Sequence, residues 1–116
     1  MSTEDTIKGI LWGDLALLGL SWENGGRDVA LRVLVPGPEP DAQRERLVVF
    51  RWAAHLVVRL EFGEGCGGSP LTWDVSFEHT ADGRWNVLFD FAHAGEVRLS
   101  CAEIELVPPG CVSLDL

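Results

Sequence analysis

Positive charge is what this sequence has least of. Nine Lys and Arg residues stand against eighteen Asp and Glu in 116 residues, a net charge of −9. Such a balance opposes approach to phosphate backbones and anionic lipid, so nucleic acid is not an expected partner. The opening residues, MSTEDTIKG, carry acids where a secretory leader needs a basic region, and no apolar run approaches the ~20 residues that cross a bilayer. The expectation is a cytoplasmic protein without membrane association. Cysteine is sparse, and Cys66, Cys101 and Cys111 lack the short paired spacings of a zinc site or a disulfide framework, so reduced thiols are expected. His55, His79 and His93 have no metal-ligand spacing either, and no cofactor is expected.

Apolar residues are plentiful. The 47% hydrophobic content, with five Trp and five Phe, is that of a chain that packs a core and not of a disordered one. A length of 116 residues suits one core. We therefore expect a single β domain over residues 1–116, with its core at about residues 12–107 and flexible termini.

From Ala16 onward apolar and polar residues alternate at period two, and Gly, Pro, Asn and Asp cluster between the runs. Strands are expected over 15–23, 28–35, 46–52, 55–62, 71–80, 84–92 and 96–107, with a weak break between Trp52 and His55 that one bent strand could span. The fold class is all-β, an antiparallel meander of six or seven strands, either a barrel or a two-layer sandwich.

Loop length and glycine position set the registers. In ADG (residues 81–83) and HAG (residues 93–95) a terminal Gly suits a three-residue loop whose last residue is left-handed, pairing Thr80 with Arg84 and Ala92 with Glu96. In ENGGR a two-residue loop sets Leu18, Leu20 and Trp22 on one face with Val29, Leu31 and Val33. Carried outward, the two late hairpins give three apolar rows: Phe77 with Val87 and Cys101, Val75 with Phe89 and Leu99, and Trp73 with Phe91 and Val97.

These rows decide the most suggestive motif. His93 and Cys101 form the residue pair of a cysteine nucleophile, but the expected hairpin holds them about 20 Å apart, and His79 lies ~12 Å from the same thiol. Neither can take its proton, so Cys101 reads as a buried apolar residue. The segment FGEGCGGSP (residues 62–70) suggests a phosphate cradle or a nucleophile elbow, yet a strand follows instead of a helix and Glu64 would repel phosphate. It reads as a loop with an exposed Cys66. VPGPEPDAQRER (residues 35–46) reads as an irregular loop.

One constellation remains. On the face opposite the core the same registers set Asp74 across from Asp90, and Asp90 across from Arg98, with Glu78 nearby on the first of these strands. Directly opposed carboxylates repel unless a cation or water offsets the cost. The pair could serve acid/base chemistry or hold a cation, but no apolar pocket or third ligand is visible, so a solvated face bridged by Arg98 is the expectation.

Trp12, Asp14 and Leu15, then Phe50, then Asp82, Gly83 and Trp85, and last Gly95, Cys101 and Ile104 occur in that order along residues 12–107. This order resembles a broad group of small bacterial proteins of unknown function that includes proposed immunity proteins of polymorphic-toxin systems. Where that group has His, this chain has Gly13, so no role of that imidazole carries over. The resemblance implies a cytoplasmic all-β protein without established catalysis. The functional expectation is a non-catalytic binding protein, an immunity-type inhibitor that meets a basic partner protein through Asp74, Glu78 and Asp90. The alternative is a small-ligand-binding β-barrel or a carboxylate-based hydrolase.

Overall fold

The computed structural model describes residues 3–8, 12–13, 15–35, 44–61 and 72–107. Asp14, Cys66 and Cys111, the loop centred on residues 36–43 and the segment 62–71 lie outside the described residues, as does the side chain of His93. A short helix, α1 (Thr3–Lys8), is followed by β1 (Ala16–Glu23), β2 (Asp28–Val35), β3 (Arg44–Arg51), β4 (Ala54–Leu60), β5 (Asp74–His79), β6 (Trp85–Asp90), β7 (Gly95–Cys101) and β8 (Glu103–Val107). The protein is all-β and antiparallel, as its period-two patterning requires.

The strands form two four-stranded sheets, β1-β2-β3-β8 and β4-β7-β6-β5. Apolar residues from the inner face of each sheet meet in one core, where Leu15, Leu31, Val33, Val48, Phe50, Val87, Phe89, Val97 and Ile104 are almost wholly buried. Phe50 of the first sheet meets Phe89 of the second edge to face, centroids 5.9 Å apart, a geometry that aromatic quadrupoles favour. Burial of each such side chain stabilises the fold by roughly 1.5–3 kcal/mol. The sheets do not close into a barrel. Among the described residues their outer edges, β1 and β5, are joined just before each strand begins, where the Thr72 amide donates to the Leu15 carbonyl (3.0 Å) and the Thr72 hydroxyl accepts from the Leu15 amide (2.9 Å). The architecture is the two-layer sandwich, and the barrel alternative is set aside.

Eight strands are present among the described residues because the last expected strand bends at Ala102. Beyond it the chain leaves the second sheet as β7 and joins the first as β8. Its neighbour bends at the same level: β3 passes into β4 through Trp52, which is left-handed at φ 56°. The Ala102 amide donates to the Arg51 carbonyl (2.9 Å), and Arg51 pairs with Glu103 while Ala54 pairs with Ser100. The two sheets are therefore one antiparallel ribbon folded along a shared corner.

The β5–β6 register is as expected. Phe77 faces Val87 and Val75 faces Phe89, and the ADG loop closes with Gly83 at φ 82°. In the first hairpin Trp22 faces Val29 and Leu20 faces Leu31, but a bulge between Leu17 and Gly19 brings Leu17, not Leu18, opposite Val33. The β6–β7 register is shifted by two residues from the expected one. Cys101 lies opposite Trp85, Leu99 opposite Val87 and Val97 opposite Phe89, so Val97 does not complete the third apolar row; Trp73, just before β5, is 76% exposed. The cause is the HAG turn. Ala92–Ala94 forms a 3-10 turn, the Phe91 amide donates to the Gly95 carbonyl (2.9 Å), and Gly95 opens β7 at φ 121°, ψ −143° instead of closing a three-residue loop. A shift of two preserves the parity of the strand, so each side chain still faces the expected side. Cys101 remains remote from residue 93, six residues along β7 from the turn, and two strands from His79, about 10 Å.

Helix α1, absent from the sequence reading, lies against the edge of the first sheet. The Thr3 hydroxyl accepts from the Ile104 amide (3.0 Å). Trp12 donates its indole N–H to the Ile7 carbonyl (2.7 Å) and packs edge-on against Phe77, centroids 4.9 Å apart.

Candidate functional site

Asp74, Glu78 and Asp90 all project from the outer face of the second sheet, as their parity with the buried Val75 and Phe89 dictates. Asp74 faces Asp90, as expected. Asp90, however, faces Glu96 and not Arg98, because of the two-residue shift in the neighbouring pair. Glu96 in turn faces Arg59 on β4 and forms an ion pair with it at 3.1 Å. One row across four strands thus reads Asp74, Asp90, Glu96, Arg59. Three carboxylates share it with a single guanidinium at its far end. The Arg98 bridge is replaced by Arg59, a residue that sequence reasoning missed together with Glu96.

Like charges opposed on neighbouring strands cost stability. Two backbone amides take up part of that cost. One oxygen of Asp74 accepts from the Val75 amide (2.9 Å) and one oxygen of Asp90 from the Ala92 amide (2.8 Å). Among the described residues no three His, Cys, Asp or Glu side chains converge as a metal site would require, and the three acids lie along a line across the strands.

The next two rows on this face are Ser76, Leu88, Arg98 and Val57, and then Glu78, Asn86 and Ser100. Together with His55 and Glu96 they line an open groove of about 560 Å³. It continues at the turn end into a second depression of about 440 Å³ bounded by Thr80, Asp82 and Arg84. Among the described residues Ser76, Glu78, Asn86 and Arg98 make no side-chain hydrogen bond or ion pair, so their capacity faces the groove. Arg84 is committed: its guanidinium donates to the Trp52 carbonyl (2.7 Å) and to the Ser100 hydroxyl (3.3 Å).

The groups whose ionisation the fold shifts most lie outside this groove. Asp28 is fully buried at the corner between the sheets. It accepts from Arg27 through both oxygens (3.0 Å each), from Asn24 (2.5 Å), from Arg51 (3.1 Å) and from the Trp52 amide (3.0 Å). The Arg27 guanidinium above all, with the Asn24 and Trp52 donors, holds its carboxyl far below the usual carboxylate range, against the opposing effect of burial. Arg51 also forms a two-pronged pair with Glu105 at 3.0 and 2.8 Å, and Arg27 lies over the Trp52 ring, 4.7 Å from its centroid. The cluster pins the corner through which both bent strands pass. An acid that opens a strand after a glycine turn carries no mark of this role in the sequence. Burial pushes the Cys101 thiol up to about 12, so it is an inert core residue and no nucleophile.

No protein-family model, curated protein or solved structure matches this chain. No helix among the described residues is long and apolar enough to cross a membrane.

Proposed function

We propose that this protein is a non-catalytic binding protein whose contact face is the outer face of the second sheet, and that its partner is a basic protein. The observation that carries the reading is the row Asp74, Asp90, Glu96, where three carboxylates are held in register with one ion-paired cation, Arg59, in the row and Arg98 in the next. A partner's Lys or Arg laid across Asp74 and Asp90 relieves a repulsion that the isolated fold retains, which adds to the long-range attraction exerted by a chain of net charge −9. Glu78 and the uncommitted Ser76 and Asn86 extend the face with further acceptors and donors. A rigid sheet suits recognition that requires little rearrangement. The resemblance to the group that includes proposed immunity proteins gives the partner a class: a toxin that is itself basic because it must hold nucleic acid, met in the cytoplasm. The groove is open along the sheet surface, and the buried, strongly perturbed Asp28 and Cys101 lie elsewhere, which favours a binding face over a catalytic pocket.

The test is affinity capture from the host organism with the native chain and with Asp74→Asn/Asp90→Asn. The captured partner should be basic, the double substitution should slow its association and flatten the salt dependence, and the fold should be unchanged. An acidic partner, or an association rate indifferent to both salt and the substitutions, removes the reading.

A further inference from the structure

The two sheets present four edges, and on three of them a helix, a bulge or a capped amide interrupts the outward backbone groups. Along β8 lies α1, whose Thr3 hydroxyl takes the Ile104 amide. The β1 edge is broken by the bulge between Leu17 and Gly19. On β5, Thr80 and Arg84 are a hydrogen-bonded pair, so by alternation the Val75 amide points away from β6, where the Asp74 carboxylate caps it at 2.9 Å. Acids and bulges of this kind are how sheet edges avoid pairing with another chain.

On the fourth edge, β4, the described residues provide no such protection. Glu61 donates to the Ala94 carbonyl (2.7 Å), so Arg59 and Val57 turn their backbone groups toward β7 while Val58 and Leu60 turn theirs outward. Among the described residues nothing hydrogen-bonds to those outward groups. Val57 is 37% and Val58 47% exposed, although both are strand residues. The one charge within β4 is Arg59, which is already paired with Glu96.

From this we infer that β4 pairs antiparallel with β4 of a second copy about a two-fold axis through Val58, joining the two second sheets into one eight-stranded sheet. The sequence of the edge suits a second copy in this register. Strands in an antiparallel pair must oppose outward groups to outward groups, so the axis passes through a residue and not between residues. With the axis at Val58, Leu56 and Leu60 of one copy face Leu60 and Leu56 of the other beside the Val58 pair. On the opposite face each Arg59 lies across from Val57, and Glu61 lies beyond, toward His55 of the second copy. No like charges meet. An axis at Arg59 would oppose two guanidinium groups, and an axis at Val57 would oppose His55 to Arg59 and draw in the left-handed His55 of the β4 bulge. The grooves of the two copies would then lie on one continuous face.

Sedimentation velocity and amide hydrogen exchange over a concentration series test this on the intact chain. The native protein should pass from monomer to dimer as concentration rises, with the Val58 and Leu60 amides gaining protection in step. Because each copy carries −9, added salt should strengthen the dimer, whereas it weakens binding of a basic partner. Val58→Lys, which sets two ammonium groups on the axis, and Val58→Pro, which removes an outward N–H that β7 does not use, should each weaken association roughly ten-fold or more. Both should keep the native far-UV circular dichroism, while Val57→Pro, which removes a bond to β7, should destabilise the monomer. A protein monomeric up to about 1 mM, a dimer indifferent to both Val58 variants, or a foreign strand that protects β4 without self-association would each overturn the inference.

Discussion

Gly95→Ala should be among the most damaging single substitutions in this protein, and its cost separates two effects that glycine usually confounds. Gly95 opens β7 at φ 121°, ψ −143°, at the border of a region that essentially only glycine occupies, and that backbone strain alone is worth about 1–3 kcal/mol for alanine. A Cβ there would also fall on the Arg59 carbonyl oxygen of β4, with the carbonyl carbon 2.8 Å away and the Leu60 Cα at 3.2 Å. These are backbone atoms and cannot rotate aside, so β4 must move away from β7. That movement puts at risk the Glu61 to Ala94 hydrogen bond and the two of the Arg59–Glu96 pair, each worth ~0.5–1.5 kcal/mol net. The total expected loss is about 2.5–7.5 kcal/mol, a large share of the ~5–15 kcal/mol that holds a domain of this size. Gly83→Ala is the control. Gly83 is also left-handed, at φ 82°, but nothing lies within 4 Å of its Cβ position, so only the backbone cost of about 1–2 kcal/mol applies. Urea unfolding of both variants with a common slope measures the difference. If the two costs agree within about 0.5 kcal/mol, an ordinary measurement spread, then β4 does not approach Gly95 this closely and the β4–β7 register is wrong.

Asp28→Ala should cost ~3–5 kcal/mol, because it leaves Arg51, Asn24 and the Trp52 amide without their shared acceptor in a buried site; thermal unfolding reads the loss. The folded-state pKa of Asp28 is depressed, so its contribution is fully present above the unfolded carboxylate value of about 3.9 and is lost as pH falls toward the folded value. Acid titration of stability should therefore be shallower in Asp28→Asn than in the native chain. Thr72→Val removes a buried hydroxyl that accepts from the Leu15 amide and donates to the Trp12 carbonyl (2.5 Å), and should cost about 1–3 kcal/mol in chemical denaturation. Cys101 should resist thiol reagents in the folded protein and react once urea unfolds it, as a mass shift reports.

Parity was legible in the sequence except across the Leu17–Gly19 bulge, and register only where a turn had a single solution. The Asp82-Gly83 turn admits one loop, so the rows from Phe77 to Val87 and from Val75 to Phe89 follow from spacing alone. The Gly95 turn admits two, a short left-handed loop or a 3-10 turn that ends in a glycine of mirror-extended backbone, and both keep the same faces buried. Asp74 and Asp90 were therefore placed correctly, while the cation assigned to them was two residues out along β7 and Glu96 was overlooked. Arg59 came to the row from a strand 37 residues away from Glu96, a distance over which spacing says nothing. The six residues of α1 carry too little apolar periodicity to announce a helix, and Ile104 accepts its cover through one hydroxyl. Asp28 was illegible because half of its cluster, Arg51 and the Trp52 amide, comes from a segment more than twenty residues away.

The shared corner also sets the order in which the chain can fold. Arg51 pairs with Glu103 and Ala54 with Ser100, partners 52 and 46 residues apart, whereas the β1–β2 and β5–β6 hairpins close through short turns. The hairpins can form on the microsecond scale, but neither has a sheet to pack against until the bent ribbon has brought the two halves of the chain together. That step carries the entropy of closing a loop of about fifty residues before any corner contact repays it. Folding should accordingly be limited by the corner, in the millisecond-to-second range of all-β domains rich in distant pairings. Both strands turn from one layer into the other at that corner, so neither sheet can be completed ahead of its partner, and the sandwich should fold and unfold as one cooperative unit.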